Sequence, residues 1–380
     1  MLSRWCAAVA VLFLVSSSPV RAADEKLHIG EFGSLTGTDA AFGTDVHDGI
    51  AMAVEEANAG GGVTIPGGAK RVIQLDTEDD HSRREDVDAA VKRLIEVAQV
   101  QAVLGGTSSS LSLVGAALCQ KAGVPQLCPA ATLPSVTRTG DHVFRACFID
   151  PQQGRAMARF ARQQLKAKSA GVLLEGASEY SKTLGLSFAA AFAWQGGSIA
   201  PLESYSRKDQ DFKAQLTNLR QAGVDVLYVP GLCTQVAQIA SQARDMGFQT
   251  TLLGGDGWDS PRFRELGGAA VVGAYFTNHY SPLQKRPQVV AFVAAFQARY
   301  HRAPTGPAAL GYDAARLVLD AAARADTPDR AGLTAALRAT HDFPAVTGDI
   351  TIDRDRNAQK AVVVVEVTSD GYEPREVVAP

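Results

Sequence analysis

Two hydroxyl-rich stretches, Gly105-Gly106-Thr107-Ser108-Ser109-Ser110 and Pro129-Ala130-Ala131-Thr132, each follow an apolar run of strand character and precede a run of helical character. A third stretch, Gly254-Gly255-Asp256-Gly257, sets a single carboxylate after another apolar run. In open α/β sheets, ligands bind beyond the carboxyl ends of strands, and helix N-termini offer backbone N–H groups to anions. Hydroxyl and N–H donors suit a carboxylate, and an aspartate suits an ammonium. Together these groups match the two charges of an α-amino acid. Each has a plainer reading when taken singly. Ser and Thr cap helix N-termini, and Asp256 beside Gly257 fits a solvated turn. Their shared placement at strand ends, in both halves of the chain, favours a ligand site.

Catalytic patterns are absent from the sequence. There is no G-x-S-x-G nucleophile elbow and no G-x-x-x-x-G-K-[ST] phosphate loop. The glycines of Gly30-Glu31-Phe32-Gly33-Ser34-Leu35-Thr36-Gly37 follow a strand but lack dinucleotide-loop spacing. The seven histidines are scattered, with none at i, i+4. Asp353-Arg354-Asp355-Arg356-Asn357 opens like a calcium loop, but Ala358 and Val364 stand where such a loop needs Gly and Glu, so a hairpin turn is expected. No cofactor and no metal are implied.

Strand-like and helix-like segments alternate around these stretches. Leu27–Phe32, Arg71–Leu75, Ala102–Leu104 and Val124–Cys128 read as strands, and Thr44–Ala59, Arg83–Ala98 and Leu111–Ala122 as helices. The pattern restarts near Arg155, with strands at Ala170–Leu174, Ile199–Tyr205, Val226–Val229, Thr251–Leu253 and Val271–Phe276. Helices at Gln288–Tyr300, Ala308–Ala325 and Arg330–Thr340 follow, then a strand pair, Asp349–Ile352 and Ala361–Val367, joined by a polar turn. This βαβα rhythm predicts parallel sheets covered on both faces, in two doubly wound (Rossmann-like) α/β lobes. The first unit is short of helical cover, so the chain is expected to cross back: residues 23–146 with 280–353 form one lobe, and 147–279 with 354–380 the other. A cleft between lobes is a favoured ligand site.

The N-terminus reads as a secretory signal peptide, residues 1–22. Arg4 precedes a short apolar run, Ser16 to Pro19 break it, and Val20-Arg21-Ala22 offers a cleavage site after Ala22. The apolar run is shorter than a membrane span requires, and Cys6 lies too early to be a lipidated cysteine. Removing the leader leaves 35 basic and 40 acidic side chains, interspersed without long runs. Such a surface argues against nucleic acid or an anionic membrane as partner, and no stable membrane insertion is expected. Cys119, Cys128, Cys147 and Cys233 remain in an export setting that permits disulfides, with pairing open and free thiols equally admissible.

The same stretches, with Gly33-Ser34-Leu35-Thr36-Gly37, Phe42-Gly43, Ala57-Asn58-Ala59-Gly60-Gly61, Arg145, Asp150-Pro151-Gln152-Gln153-Gly154 and Gly311-Tyr312-Asp313-Ala314, resemble a known family. It is the type I periplasmic solute-binding proteins of the leucine/isoleucine/valine-binding group, and the resemblance spans essentially the whole mature chain. It implies an exported two-lobe receptor with a multi-strand hinge that hands an amino acid, branched-chain or another with an apolar side chain, to the permease subunits of an ATP-binding-cassette importer. By that resemblance, Ser108, Ala130 and Thr132 hold the ligand's α-carboxylate and Asp256 pairs with its α-ammonium. Tyr180 closes over the ligand, and Phe42 walls the side-chain pocket. Leu232 and Ala308 stand where leucine-type relatives carry tyrosines, so a larger or differently shaped side chain is expected. Competing readings are a receptor for an amide, urea or small carboxylic acid, a soluble ligand sensor, and an exported hydrolase. Asp256, which needs a cation, speaks against the first of these.

Overall fold

A computed structural model describes residues 26–380. The leader expected at residues 1–22 lies outside them. The first strand, β1 (Lys26–Gly33), is buried from Ile29 onward because it lies mid-sheet. It leads to α1 (Ala40–Ala59), which turns Val46, Ile50, Ala53 and Val54 inward. Beyond α1, Gly61 and Gly62 take φ of 88° and 90°, a conformation that costs a residue with a Cβ about 1–2 kcal/mol. Next come β2 (Val63–Thr64), β3 (Lys70–Asp79), α2 (Arg84–Lys92), β4 (Ala102–Gly105) and α3 (Ser109–Ala122). β5 (Gln126–Cys128), α4 (Ser135–Arg138) and β6 (Val143–Arg145) complete the first sheet, ordered β2-β3-β1-β4-β5-β6 and parallel except for β2.

The second lobe opens with α5 (Asp150–Gln163), β7 (Ser169–Glu175) and α6 (Glu179–Trp194). β8 (Ser198–Ile199) and β9 (Glu203–Tyr205) share one expected strand, interrupted at Pro201, which cannot donate to a ladder. α7 (Lys213–Gln221), β10 (Val226–Tyr228), α8 (Cys233–Asp245), β11 (Thr251–Gly254), α9 (Pro261–Gly267) and β12 (Tyr275–Asn278) follow. The chain then returns to the first lobe as α10 (Pro287–Tyr300), α11 (Gly306–Arg324) and α12 (Arg330–Arg338). Gly49 and Gly311 let α1 and α11 touch. A Cβ on either would overlap a carbonyl oxygen of the other helix, Ala308 or Val46.

β13 (Phe343–Ala345), β14 (Gly348–Ile352) and β15 (Ala358–Gln359) form a small sheet, and β16 (Val362–Val367) and β17 (Tyr372–Val378) close the chain. The second sheet runs β17-β16-β12-β11-β10-β7-β8, with β9 also on β7. The expected pairing of 349–352 with 361–367 does not form. β14 turns at Asp353–Asn357 onto β15, while β16 lies antiparallel between β12 and β17. The physical reason is burial: Val362 to Val365 are covered on both faces, which a central strand supplies and a hairpin over a helix does not. The Asp353 carboxylate accepts from the backbone N–H groups of Asp355 and Asn357, so it serves its own turn. The chain passes between the two sheets after β6, after β12 and after β15. Buried Arg145 braces the first passage, its guanidinium donating to Ala131 O and Leu133 O and its backbone N–H to Arg356 O.

No helix among the described residues is long and apolar enough to cross a membrane. Cys119, Cys128 and Cys147 are buried free thiols and Cys233 a partly buried one. Burial pushes Cys128 up to about 11 and Cys147 to about 12, so both stay protonated and inert.

Candidate functional site

Parallel strands with helices behind them bring every strand's carboxyl end to one edge, and the two edges face each other. Between them lies a cavity of about 260 Å³. Phe42, Ser108, Ala130, Thr132, Tyr180, Leu232 and Asp256 line it. Ala308 does not. It is fully buried on the first turn of α11, packed with Met52, Tyr280 and Phe292 where α11 meets α1 at Gly49. Its backbone carbonyl is the atom that faces Gly49 of α1, which places the residue at the helix contact and away from the cavity wall.

Ser108 occupies the N-cap position of α3, yet its side chain makes no capping hydrogen bond; its hydroxyl reaches only Ser110 Oγ, at 3.4 Å. The plain helix-cap reading therefore fails for this residue. Thr132 is fully buried, and its Oγ1 lies beside the Asp150 carboxyl without a hydrogen bond of ordinary geometry. A buried hydroxyl left in that state costs about 1–3 kcal/mol, and an acceptor entering the cavity removes the cost.

Asp256 is 4% exposed and already accepts from three side chains. Oδ1 accepts from Tyr180 OH at 2.9 Å and from Gln153 Nε2 at 3.0 Å, and Oδ2 lies 3.1 Å from His279 Nε2. Close approach is possible because residues 255 and 257 are glycines. A Cβ on Gly255 would come within 2.7 Å of Tyr180 OH, and one on Gly257 within 2.8 Å of Gly231 O. Burial holds Tyr180 well above the ordinary tyrosine range, so it remains a donor. Burial also lowers His279 to about 4, so at neutral pH the imidazole is uncharged; it stacks on Phe148 with ring centroids 3.8 Å apart. The carboxylate of Asp256 is thus oriented by neutral donors, and no cation among the described residues pairs with it.

Gln153 connects this carboxylate to a second. Its Nε2 also donates to Asp150 Oδ1 at 3.2 Å, and its Oε1 accepts from Thr277 Oγ1 at 2.8 Å. Burial raises Asp150 to about 7, so it carries its proton through mildly acidic pH. Sequence reasoning quoted Gln153 only as a signpost and missed His279 entirely.

It also missed charged side chains in the cavity wall: Glu179, which pairs with Lys182, and the trio Asp39, Glu175 and Arg207. Arg207 Nε lies 2.8 Å from Glu175 Oε1, and its Nη1 3.5 Å from Asp39 Oδ1. Asp39 belongs to the first lobe and the other two to the second, so the contact spans the cleft. No local signal marks them, since the residues lie far apart in sequence and only the facing of the lobes unites them.

The sequence profile of a family described as periplasmic binding protein matches residues 26–372. The chain belongs to the periplasmic binding protein family. A Leu/Ile/Val-binding protein homolog of Brucella melitensis is 31% identical over 269 residues, covering 70% of this chain and 71% of that protein. Among solved structures, the leucine-binding protein LivK of Thermotoga maritima superposes with a TM-score of 0.88 at 36% identity, over 93% of this chain and 99% of that one. LivJ of Streptococcus pneumoniae, a branched-chain amino acid transporter substrate-binding protein solved with isoleucine, gives 0.87 at 31% identity, over 93% and 100%. This periplasmic binding protein therefore has the type I two-lobe fold, and it is a solute-binding protein rather than an enzyme.

Proposed function

We propose that this protein captures an α-amino acid between its lobes, residues 23–146 with 280–353 and 147–279 with 354–380, and delivers it to an ATP-binding-cassette importer. Asp256 carries the reading. Its carboxylate is buried, orients on neutral donors and lacks a cation, and an uncompensated buried charge costs several kcal/mol. An α-ammonium supplies the missing charge. Ser108, whose hydroxyl caps nothing, and Thr132 then receive the α-carboxylate, with Ala130 at the same strand end. Tyr180 closes over the ligand, and Phe42 and Leu232 flank its side chain. Binding by relatives of this kind, with isoleucine held by one of them, supports the class. The protein works in the periplasm after export and cleavage near Ala22, and its partners are the importer's permease subunits.

Titration calorimetry on the parent and on Asp256→Asn tests the reading, using an amino acid and its deaminated analogue. Breaking a buried pair from one side costs about 3–5 kcal/mol, so amino-acid affinity should fall by two decades or more. The deaminated analogue should bind the variant no worse than the parent. If the substitution leaves amino-acid binding untouched, or if the parent prefers the deaminated compound, a receptor for an amide or organic acid takes its place.

A further inference from the structure

The order of strands around the cavity tells which way a ligand points. In the first lobe, Thr132 follows β5, Ser108 follows β4, and Asp39 and Phe42 follow β1, three strands that are neighbours in that order. In the second lobe, Asp256 follows β11, Leu232 follows β10, Glu175 ends β7 and Arg207 follows β9, again neighbours in that order. Both lobes therefore run from the zwitterion groups, past Phe42 and Leu232, to the charged trio. Adjacent strands lie about 4.8 Å apart, so the end of β7 is about 10 Å from that of β11. That is the direction and reach of a long ligand side chain.

The charges at that end do not balance. Asp39 and Glu175 are 5% and 4% exposed, and they share one guanidinium, that of Arg207, whose side chain is 39% exposed. Arg262 lines an adjoining recess but is exposed and forms no ion pair with either. One net negative charge is left facing the cavity, the same deficit that Asp256 leaves at the other end. An aliphatic side chain would seal both carboxylates from water and compensate neither.

Building on the amino-acid reading, the geometry points to Asp39 and Glu175, bridged by Arg207, as the specificity-determining residues of a side-chain subsite for a cationic group, an ammonium or guanidinium at the end of a long chain. The ligand spans the cavity with a positive charge at each end, its α-ammonium on Asp256 and its terminal cation between the two lobes.

Lysine and norleucine isolate this feature, since norleucine has the same carbon chain without the terminal ammonium. Calorimetric titration of the mature protein with lysine, arginine and norleucine should show either basic amino acid binding at least tenfold tighter than norleucine. Glu175→Gln and Asp39→Asn keep the shape of the site, and each should lower the lysine-to-norleucine affinity ratio at least fivefold. Norleucine binding as tightly as lysine overturns the subsite, as does a ratio that neither variant changes, which is what a purely structural ion pair predicts. If norleucine binds tightly and Asp256→Asn abolishes that binding, the amino-acid reading stands and only the cationic subsite falls. If no amino acid binds while deaminated acids do, both fall.

Discussion

At the scale of single residues, the cavity is defined by groups that are held but not satisfied. Thr132 Oγ1 is buried beside Asp150 without an ordinary hydrogen bond, and Ser108 Oγ sits at a helix start without capping it. Replacing Thr132 by Val should therefore leave unliganded stability unchanged or slightly higher, because a buried unsatisfied hydroxyl disappears, while ligand affinity drops by about 1–3 kcal/mol. Ser108→Ala should weaken binding by a similar amount. Chemical denaturation and calorimetry on the same variants separate the two effects; a stability loss with unchanged affinity would make both residues structural. Asp256 was legible in the sequence only as a candidate, a carboxylate between glycines after an apolar run, with a solvated turn as its plainer reading. Its donors were not. Gln153, Tyr180 and His279 come from three separate segments, and only the folded second lobe gathers them.

At the scale of elements, the alternation of apolar runs with helical periodicity located most strands and helices, since parallel strands buried on both faces read as continuous apolar runs. It failed where an element's partner, not its own pattern, sets its place. β16 reads like the second half of a hairpin and is instead an interior strand, and Ala308, which only the family resemblance put in the pocket, lies at a helix contact outside the cavity lining. These two corrections yield a prediction. Ala308→Tyr should drive α1 and α11 apart, lowering stability by about 1–3 kcal/mol or more without altering the ranking of ligands. Leu232→Tyr, on the cavity wall, should change that ranking with little loss of stability. Thermal unfolding together with a ligand panel checks both; a ranking shifted by the Ala308 variant alone would return that residue to the pocket.

At the scale of the whole molecule, two buried groups give stability opposing dependences on pH. His279 titrates near 4 when folded and near 6.5 when free, so the unfolded chain binds more protons between those values and stability rises with pH across that window. Asp150 titrates near 7 when folded against 3.8 free, so the folded chain binds more protons and stability falls as pH rises from about 4 to about 7. Integrated over its window, each change is worth on the order of 3–5 kcal/mol, and the two largely cancel in the parent. His279→Gln should expose the falling slope and Asp150→Asn the rising one, read as urea midpoints between pH 4.5 and 7. Parallel profiles in parent and variants would show that neither group titrates in this way.

The three passages of the chain between lobes also set a timetable. A ribosome delivers residues in order, but the first sheet's second cover arrives late: Leu317, Val318, Leu333, Leu337 and Ile350 belong to the same apolar core as Leu27 and Ile29. The second sheet waits longer still, for Val362 to Val365. Neither lobe can be finished before the other is nearly complete, so the emerging chain presents two half-covered apolar faces from the second sheet's formation until the late helices arrive. A chain stopped at Asn278 should keep both faces bare, bind a hydrophobic dye and succumb to protease, whereas one stopped after Val378 should do neither.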